Sequence, residues 1–422
     1  MKKYKIFAYL CTLTCFVAGC SSNPYYTDNT NISYGDILEV DESTEFIDFE
    51  PTTQNGSETV SKKETSTQEE NTEYKTEKEP TGSSWSFYYE QLNDNEKEVY
   101  KNILDGCENF ENTIKIKDIS MDSLYRVWHA FNYDNPQFFW TSQFQYVTMF
   151  DKPIEIEFEI EDNFKDTFNK LNSMGDEIVS SIPENSTDYE KVKFLYEYII
   201  NTVDYVDNAP NDQDIRSALI NKQSVCAGYS RAFQFLCQKA GIKCTYVSGT
   251  TDAGAHGWNL ICLLDKYYWV DVTWGDPVYE DDTSWNKLNY DFLCVDDEIF
   301  LKSHNVDTGL VTTDSYIPDL FTYPNCTDKS YDYYYLENCY FDTYNRNVIY
   351  NIISEKILND KKDINFRFKT LDEMLRAYND IFTEDSFIFE VMENANKDWD
   401  TYSYIYTHNE KANTINIEIT SK

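Results

Sequence analysis

Residues 223–274 read QSVCAGYSRAFQFLCQKAGIKCTYVSGTTDAGAHGWNLICLLDKYYWVDVTW, and this stretch decides the fold. Ser224 stands as an N-cap, which places Cys226 in the first turn of a helix running to about Ala240. Tyr229, Ala232, Phe233, Leu236, Cys237 and Ala240 form its buried stripe, and Gly241 suits the position just past its end. A thiol at a helix N-terminus feels the positive end of the macrodipole, which favours the thiolate. The backbone N–H groups there can also stabilise an oxyanion. Lys243 to Ser248 predicts a strand and Thr250 to Ala255 a small-residue loop. His256 to Leu264 and Tyr267 to Trp274 predict two strands joined by a turn at Asp265-Lys266.

Cys226, His256 and Asp271 thus follow in the order nucleophile, base, orienter. A strict two-residue turn pairs Leu264 with Tyr267 and Leu260 with Asp271. His256 and Asp271 then share a face, because residues an even number of steps apart do. Yet Asp271 falls about four residues along from the partner of His256, too far for a hydrogen bond at roughly 3.4 Å per residue. The pair therefore needs a bulge, strong coiling or a longer irregular turn. Taken singly, each residue has a plainer reading. A cysteine beside apolar residues is usually an inert core thiol, and an aspartate in a strand is often an edge or turn residue. The order and context of the three favour chemistry.

Three short motifs carry a family resemblance: Ser224-Val225-Cys226-Ala227-Gly228-Tyr229, His256-Gly257-Trp258-Asn259, and Trp269-Val270-Asp271-Val272-Thr273-Trp274 followed by Asp276. The chain resembles the transglutaminase-like superfamily, cousins of the papain-like cysteine proteases, most strongly from Asp188 to Pro277 and more loosely to His304. The segment before Pro136, with Asp134-Asn135-Pro136-Gln137-Phe138-Phe139-Trp140, is similar to the N-terminal part of bacterial members. Gly257 replaces the commoner alanine, and Ser224 stands where a glycine is usual. The resemblance implies an α+β fold in which a helix bearing Cys226 packs on an antiparallel sheet bearing His256 and Asp271. It implies a thioester on Cys226, with His256 moving the proton and Asp271 orienting the imidazole. Gln223 and Tyr205 are candidates for completing the oxyanion hole. Trp258 and Trp274 are expected to wall the cleft and exclude water.

Length and composition bound the rest. A chain of 422 residues implies two or three units. A net charge of −38 argues against nucleic acid and against a surface held by anionic lipid. Lys2, Lys3 and Lys5 precede a short apolar run, Ile6 to Val17, that ends at Val17-Ala18-Gly19-Cys20. This resembles a bacterial lipobox, so residues 1–19 are expected to be a lipoprotein signal peptide and Cys20 the lipid attachment site. The expected place is outside the cytoplasm, anchored to the bacterial cell membrane. Residues 20–83 are polar and acidic and predict a disordered linker. The other units are expected at 84–163, helical and mixed, at 164–305, the catalytic domain, and at 306–422, a small α+β module.

Within them, helices are predicted at 85–105 and 118–131 and through much of 164–205, with Ser186-Thr187-Asp188 as a start signal. Residues 154–160 alternate like a strand. Tyr290 to Val295 predicts a strand after an acidic loop at 279–287. In the C-terminal module, 331–353 reads as strand-like, 364–368, 387–392, 402–406 and 415–419 as strands, and 371–382 as a helix. His129 and His304 read as packing residues, and His408 lies beside the last hairpin turn. Cysteines 237, 244 and 262 read as core residues. Cys326 and Cys339 form the best disulfide candidate. No CxxC or calcium-loop spacing occurs, so no metal and no cofactor is implied. The expected activity is acyl transfer or hydrolysis at amide bonds of a protein or peptide, via a thioester. A binding or scaffold lipoprotein that keeps the fold without turnover stays open beside it, as does a peptide-glycan amidase.

Overall fold

The computed structural model describes residues 85–421, apart from short stretches of which 277–287 and 395–400 are the longest, and two strands upstream at 4–8 and 38–39. Cys20, nearly all of the linker and the acidic loop lie outside the described residues. The fold is mixed α+β.

Its centre is a five-stranded antiparallel sheet. Across it the order is Leu293–Val295, Lys266–Val270, Gly254–Leu263, Lys243–Thr251, Asn305–Val306. The helix Cys226–Lys239 packs on the two central strands, and Gly241 with φ +80° ends it in the left-handed geometry that glycine tolerates.

The helix start differs from expectation. Val225 is the N-cap and offers no side-chain cap. Ser224 turns away instead: its hydroxyl meets Ser217 Oγ at 2.6 Å and Asp212 O at 3.2 Å. The expected loop at 250–255 is mostly strand, since Thr250 pairs with Ala255 and Thr251 with Gly254. The next turn falls one residue earlier than predicted. Leu264 and Asp265 occupy it with φ of 48° and 60°, and Leu263 faces Lys266. Two positive φ values in a two-residue loop suit the right-handed twist of the hairpin.

Around this sheet the helices start where capping chemistry allows. The helix expected from residue 85 begins only at Asp94, after a 3-10 turn at Tyr89–Gln91. Asn93 caps Glu96 N, and the Glu96 carboxylate accepts from Asn93 N. Ser120 caps Met121–Asp134, and Thr187 with Glu190 makes the same reciprocal box for Asp188–Thr202. A second sheet holds Phe144–Met149, Lys152–Phe158 and Thr113–Lys115. Tyr4–Ala8, inside the stretch read as a leader, runs along its edge against Phe144–Met149.

The end of Met121–Asp134 is joined to the cysteine helix by a row of side chains. Arg231 Nη1, Gln234 Nε2 and Gln238 Nε2 donate to the carbonyls of Asn132, Tyr133 and Asp134 at 2.9, 2.7 and 3.0 Å. The last carbonyls of a helix have no partner within it, so one helix satisfies the other. One continuous core runs from Phe87 to Cys326, is joined by Ala412, and includes both regions.

A second core, from Ile349 to Ile419, belongs to the C-terminal module. Two expectations there fail. Residues 331–353 hold helices Tyr333–Leu336 and Arg346–Leu358 with only Tyr340–Phe341 as strand, and Ile388–Asn394 is a helix. In Arg346–Leu358 the buried Ile349, Ile353 and Ile357 recur every fourth residue, a helical stripe. The other elements lie as expected: Asp363–Phe368, Leu371–Phe382, Thr401–Asn409 and Thr414–Ser421. Cys326 and Cys339 are separate free thiols, not a disulfide.

Candidate active site

The one-residue shift of the turn brings His256 and Asp271 together. Val270 now faces Asn259, so Asp271 sits level with Trp258, two residues from His256. Diagonal neighbours at that offset lie within reach of a long side chain. His256 Nε2 is 2.7 Å from Asp271 Oδ2, and both residues are buried. The other carboxylate oxygen accepts Thr273 N at 2.9 Å and Trp274 N at 3.0 Å, and Asp271 N donates to Phe292 O at 3.0 Å.

A residue read from the sequence as packing completes the cluster. His304 Nε2 lies 3.1 Å from the same Asp271 Oδ2. Sequence reasoning missed this contact because it spans 33 residues and the acidic stretch between; the one available signal was that histidine is scarce. Burial would raise the Asp271 carboxyl, but the charge and hydrogen bonds of His256 and His304 overcome it and hold the group well below the usual carboxylate range. A carboxylate can only accept, so both Nε2 atoms must carry the proton. Burial lowers the pKa of His304. The ligand atoms of His256, Asp271 and His304 lie within 4.8 Å of one another. The two ring nitrogens stand at hydrogen-bond distance, 2.7 and 3.1 Å, from one carboxylate oxygen.

Cys226 is fully buried at the start of its helix. One turn further along, Ser230 Oγ donates to Gly257 O at 2.8 Å, and Asn259 Nδ2 donates to Ser230 O at 2.9 Å. These bonds pin the cysteine helix to the histidine strand on either side of Trp258. The departure at Gly257 has a steric cause, since a Cβ there would come within 2.4 Å of Tyr246 Oη. The Tyr246 ring is itself covered by the Arg231 guanidinium, 4.4 Å from its centroid.

Trp274 stacks on His256 at 5.5 Å, and the Trp258 ring lies 5.9 Å from it. Gln223 and Tyr205 fall on a two-residue parallel bridge just before the helix. Gln223 is exposed, and the half-buried Tyr205 ring lies 6.2 Å from Tyr229. A cleft lined by Asn132, Tyr133, Phe138, Phe139, Asp214, Arg231 and Tyr246 reaches Ala227, next to the cysteine. His129 is a packing residue as expected, 3.9 Å from the Tyr133 ring, and burial and Arg231 lower its pKa to about 3. Burial pushes up the thiols of Cys107, Cys237, Cys262, Cys294, Cys326 and Cys339, which makes them inert.

Residues 176–274 match the model of the transglutaminase-like superfamily. The human kyphoscoliosis peptidase is 26% identical over 152 residues, which is 31% of this chain and 23% of that protein. The chain therefore spans less than a quarter of that relative's length. Among solved structures, a TGase is similar at 13% identity and a TM-score of 0.24, over 32% of this chain and 44% of that one. The periplasmic domain of TgpA from Pseudomonas aeruginosa is similar at 18% identity and a TM-score of 0.21, over 25% and 44%. Residues 176–274 of this chain are a transglutaminase-like superfamily domain.

Proposed function

We propose that the chain is a cysteine enzyme that opens amide bonds of a protein or peptide through a thioester on Cys226. The observation that carries this reading is the buried bond between His256 Nε2 and Asp271 Oδ2. It commits Nε2 to the carboxylate and leaves Nδ1 as the nitrogen that exchanges a proton with the thiol. Cys226 Sγ attacks the substrate carbonyl as His256 takes its proton. The C–N bond breaks, and the departing amine takes that proton. A second amine or water then attacks the thioester, gives its proton to His256 and releases Sγ. The helix lacks a side-chain cap, so its first-turn N–H groups are not consumed by one and can serve the oxyanion. Trp258 and Trp274 flank the imidazole and keep bulk water from it. Gln223 and Tyr205, just before the helix, are the side chains proposed to complete the oxyanion hole.

The Val17-Ala18-Gly19-Cys20 pattern supports a lipid anchor on Cys20 and a place outside the cytoplasm. Metabolic labelling with radioactive palmitate tests it, and a Cys20→Ala chain that still labels and stays in the membrane sinks it.

The chemistry is tested by the rate of iodoacetamide alkylation of Cys226 against pH, with Cys226→Ala and His256→Ala as controls. The raised thiols of Cys107, Cys237, Cys262, Cys294, Cys326 and Cys339 react slowly, and the Cys226→Ala chain measures the background. A titration below about 7.5 that depends on His256 is expected, against about 8.5 for a free thiol. Slow labelling unchanged by His256→Ala rejects the enzyme and favours a scaffold that keeps the fold without turnover.

A further inference from the structure

We infer that His304 is a positioning residue that shares Asp271 with His256 and sets how strongly that carboxylate draws on the catalytic imidazole. This rests on the proposed roles of Cys226, His256 and Asp271. His304 lies 33 residues from Asp271 in the chain and outside the segment that matches the family.

The geometry is over-determined. The His304 ring stacks on Phe300 at 3.8 Å and 14°, and the ring of Trp274 lies 4.3 Å away. Asn305, the next residue, pairs with Thr250 in the sheet. Ser303 Oγ lies 3.0 Å from Nδ1. Phe300 O lies 3.2 Å from the same Nδ1. The charged carboxylate is the stronger acceptor, so the one proton of the neutral ring stays on Nε2 and Nδ1 accepts from the Ser303 hydroxyl. Among the described residues, the charged or titratable groups around the ring are Asp271, His256 and, across Asp271, Tyr196, whose hydroxyl donates to Asn289 O at 2.6 Å. Cys226 lies beyond His256 under the proposed reading.

His304 is not needed to aim the carboxylate, because Thr273 N and Trp274 N already hold Oδ1. What it adds falls on Oδ2, the atom that His256 uses. A neutral N–H donor there draws negative charge away from the bond to His256 without adding a second cation beside it. His256 is then a weaker base than it would be with Asp271 to itself. A transition at which the imidazolium gives up its proton should therefore sit lower in the native chain than in one lacking the donor.

The test is the pH profile of Cys226 alkylation in the full chain. His304→Phe keeps a ring against Phe300 and Trp274 but has no donor. Its upper transition is expected to rise by about one pH unit, the scale of one buried hydrogen bond to a charged group. His304→Gln, which restores an N–H, is expected to move it less than half as far. A folded His304→Phe chain whose profile overlays the native one overturns the inference. A second measurement needs no variant: in histidine-labelled native protein, nitrogen NMR should find His304 neutral with its proton on Nε2. A proton on Nδ1 alone also overturns it. If native Cys226 alkylates without regard to His256, both this inference and the proposed function fall. If the native profile depends on His256 but not on His304, only this inference falls.

Discussion

Leu263 faces Lys266 across the hairpin, and that single pairing places Asp271 beside His256. Had the turn fallen one residue later, every pairing in the hairpin would move by two residues. The carboxylate would then be out of reach.

The turn obtains this register at a local cost. Leu264 is 78% exposed and holds φ at 48°, a conformation that costs an L-residue roughly 1–2 kcal/mol. Asparagine tolerates it. Leu264→Asn should therefore raise stability by about 1 kcal/mol and leave Cys226 alkylation unchanged, as thermal melts and labelling rates can check. Insertion of a glycine between Leu264 and Asp265 should abolish the dependence of labelling on His256.

Gly257 has no room for a methyl group. Gly257→Ala would push the added Cβ into Tyr246, which Arg231 holds in place. A loss of about 1–3 kcal/mol is expected in urea denaturation, with slower alkylation because His256 is the adjacent residue. Gly257→Ala combined with Tyr246→Phe should recover part of both, since the closest clash is with the hydroxyl.

Asp134 should give stability a pH dependence of unusual sign. Burial raises its carboxyl to about 7, although Tyr88 N, Tyr89 N and the Tyr100 hydroxyl all donate to it. An unfolded chain releases that proton near pH 3.9. Between these values the folded state binds more protons, so the contribution of this group is full below about pH 4. It falls as pH rises to about 7 and is flat beyond. Asp134→Asn keeps an acceptor and removes the titration. Denaturation of both chains from pH 4.5 to 7.5 should show native stability declining relative to the variant. Parallel curves would reject the raised value.

Arg367 ties the second core to the segment that precedes Phe292. It is fully buried, pairs with Asp332 and donates to Asp291 O. Arg367→Met leaves a buried carboxylate without its cation, a change of about 3–5 kcal/mol. Limited proteolysis should then release the module at protease levels that leave the native chain whole.

Much of the candidate site was legible in the sequence because its signals are local. The thiol precedes a helical stripe, His256 sits in a strand, and Asp271 directly follows the aromatic strand Lys266–Val270, which ends four residues short of the expected Trp274. What was not legible depends on tertiary choice. Nothing in Leu264-Asp265-Lys266 favours the observed turn, since leucine is a poor residue for it. The partnership of His304 forms across the end of the sheet. Phe387 to Met392 is a short apolar run, in which helix and strand periods cannot be told apart. Arg346–Leu358 was obscured by its isoleucines, whose β preference is overridden by burial at fourfold spacing.

Asp291 carries a last consequence. Its carboxylate accepts the Tyr334 hydroxyl at 2.6 Å, Asn409 Nδ2 at 3.1 Å and the Thr414 hydroxyl at 2.9 Å, all from beyond residue 330. The next residue, Phe292, holds the backbone of Asp271. A fragment cut at the edges of the family match would end at Trp274 and lose Asp291, Phe292 and His304 together. Excision at residue 274 should therefore yield a polypeptide in which Asp271 keeps the Thr273 and Trp274 N–H groups but loses both Phe292 O and His304.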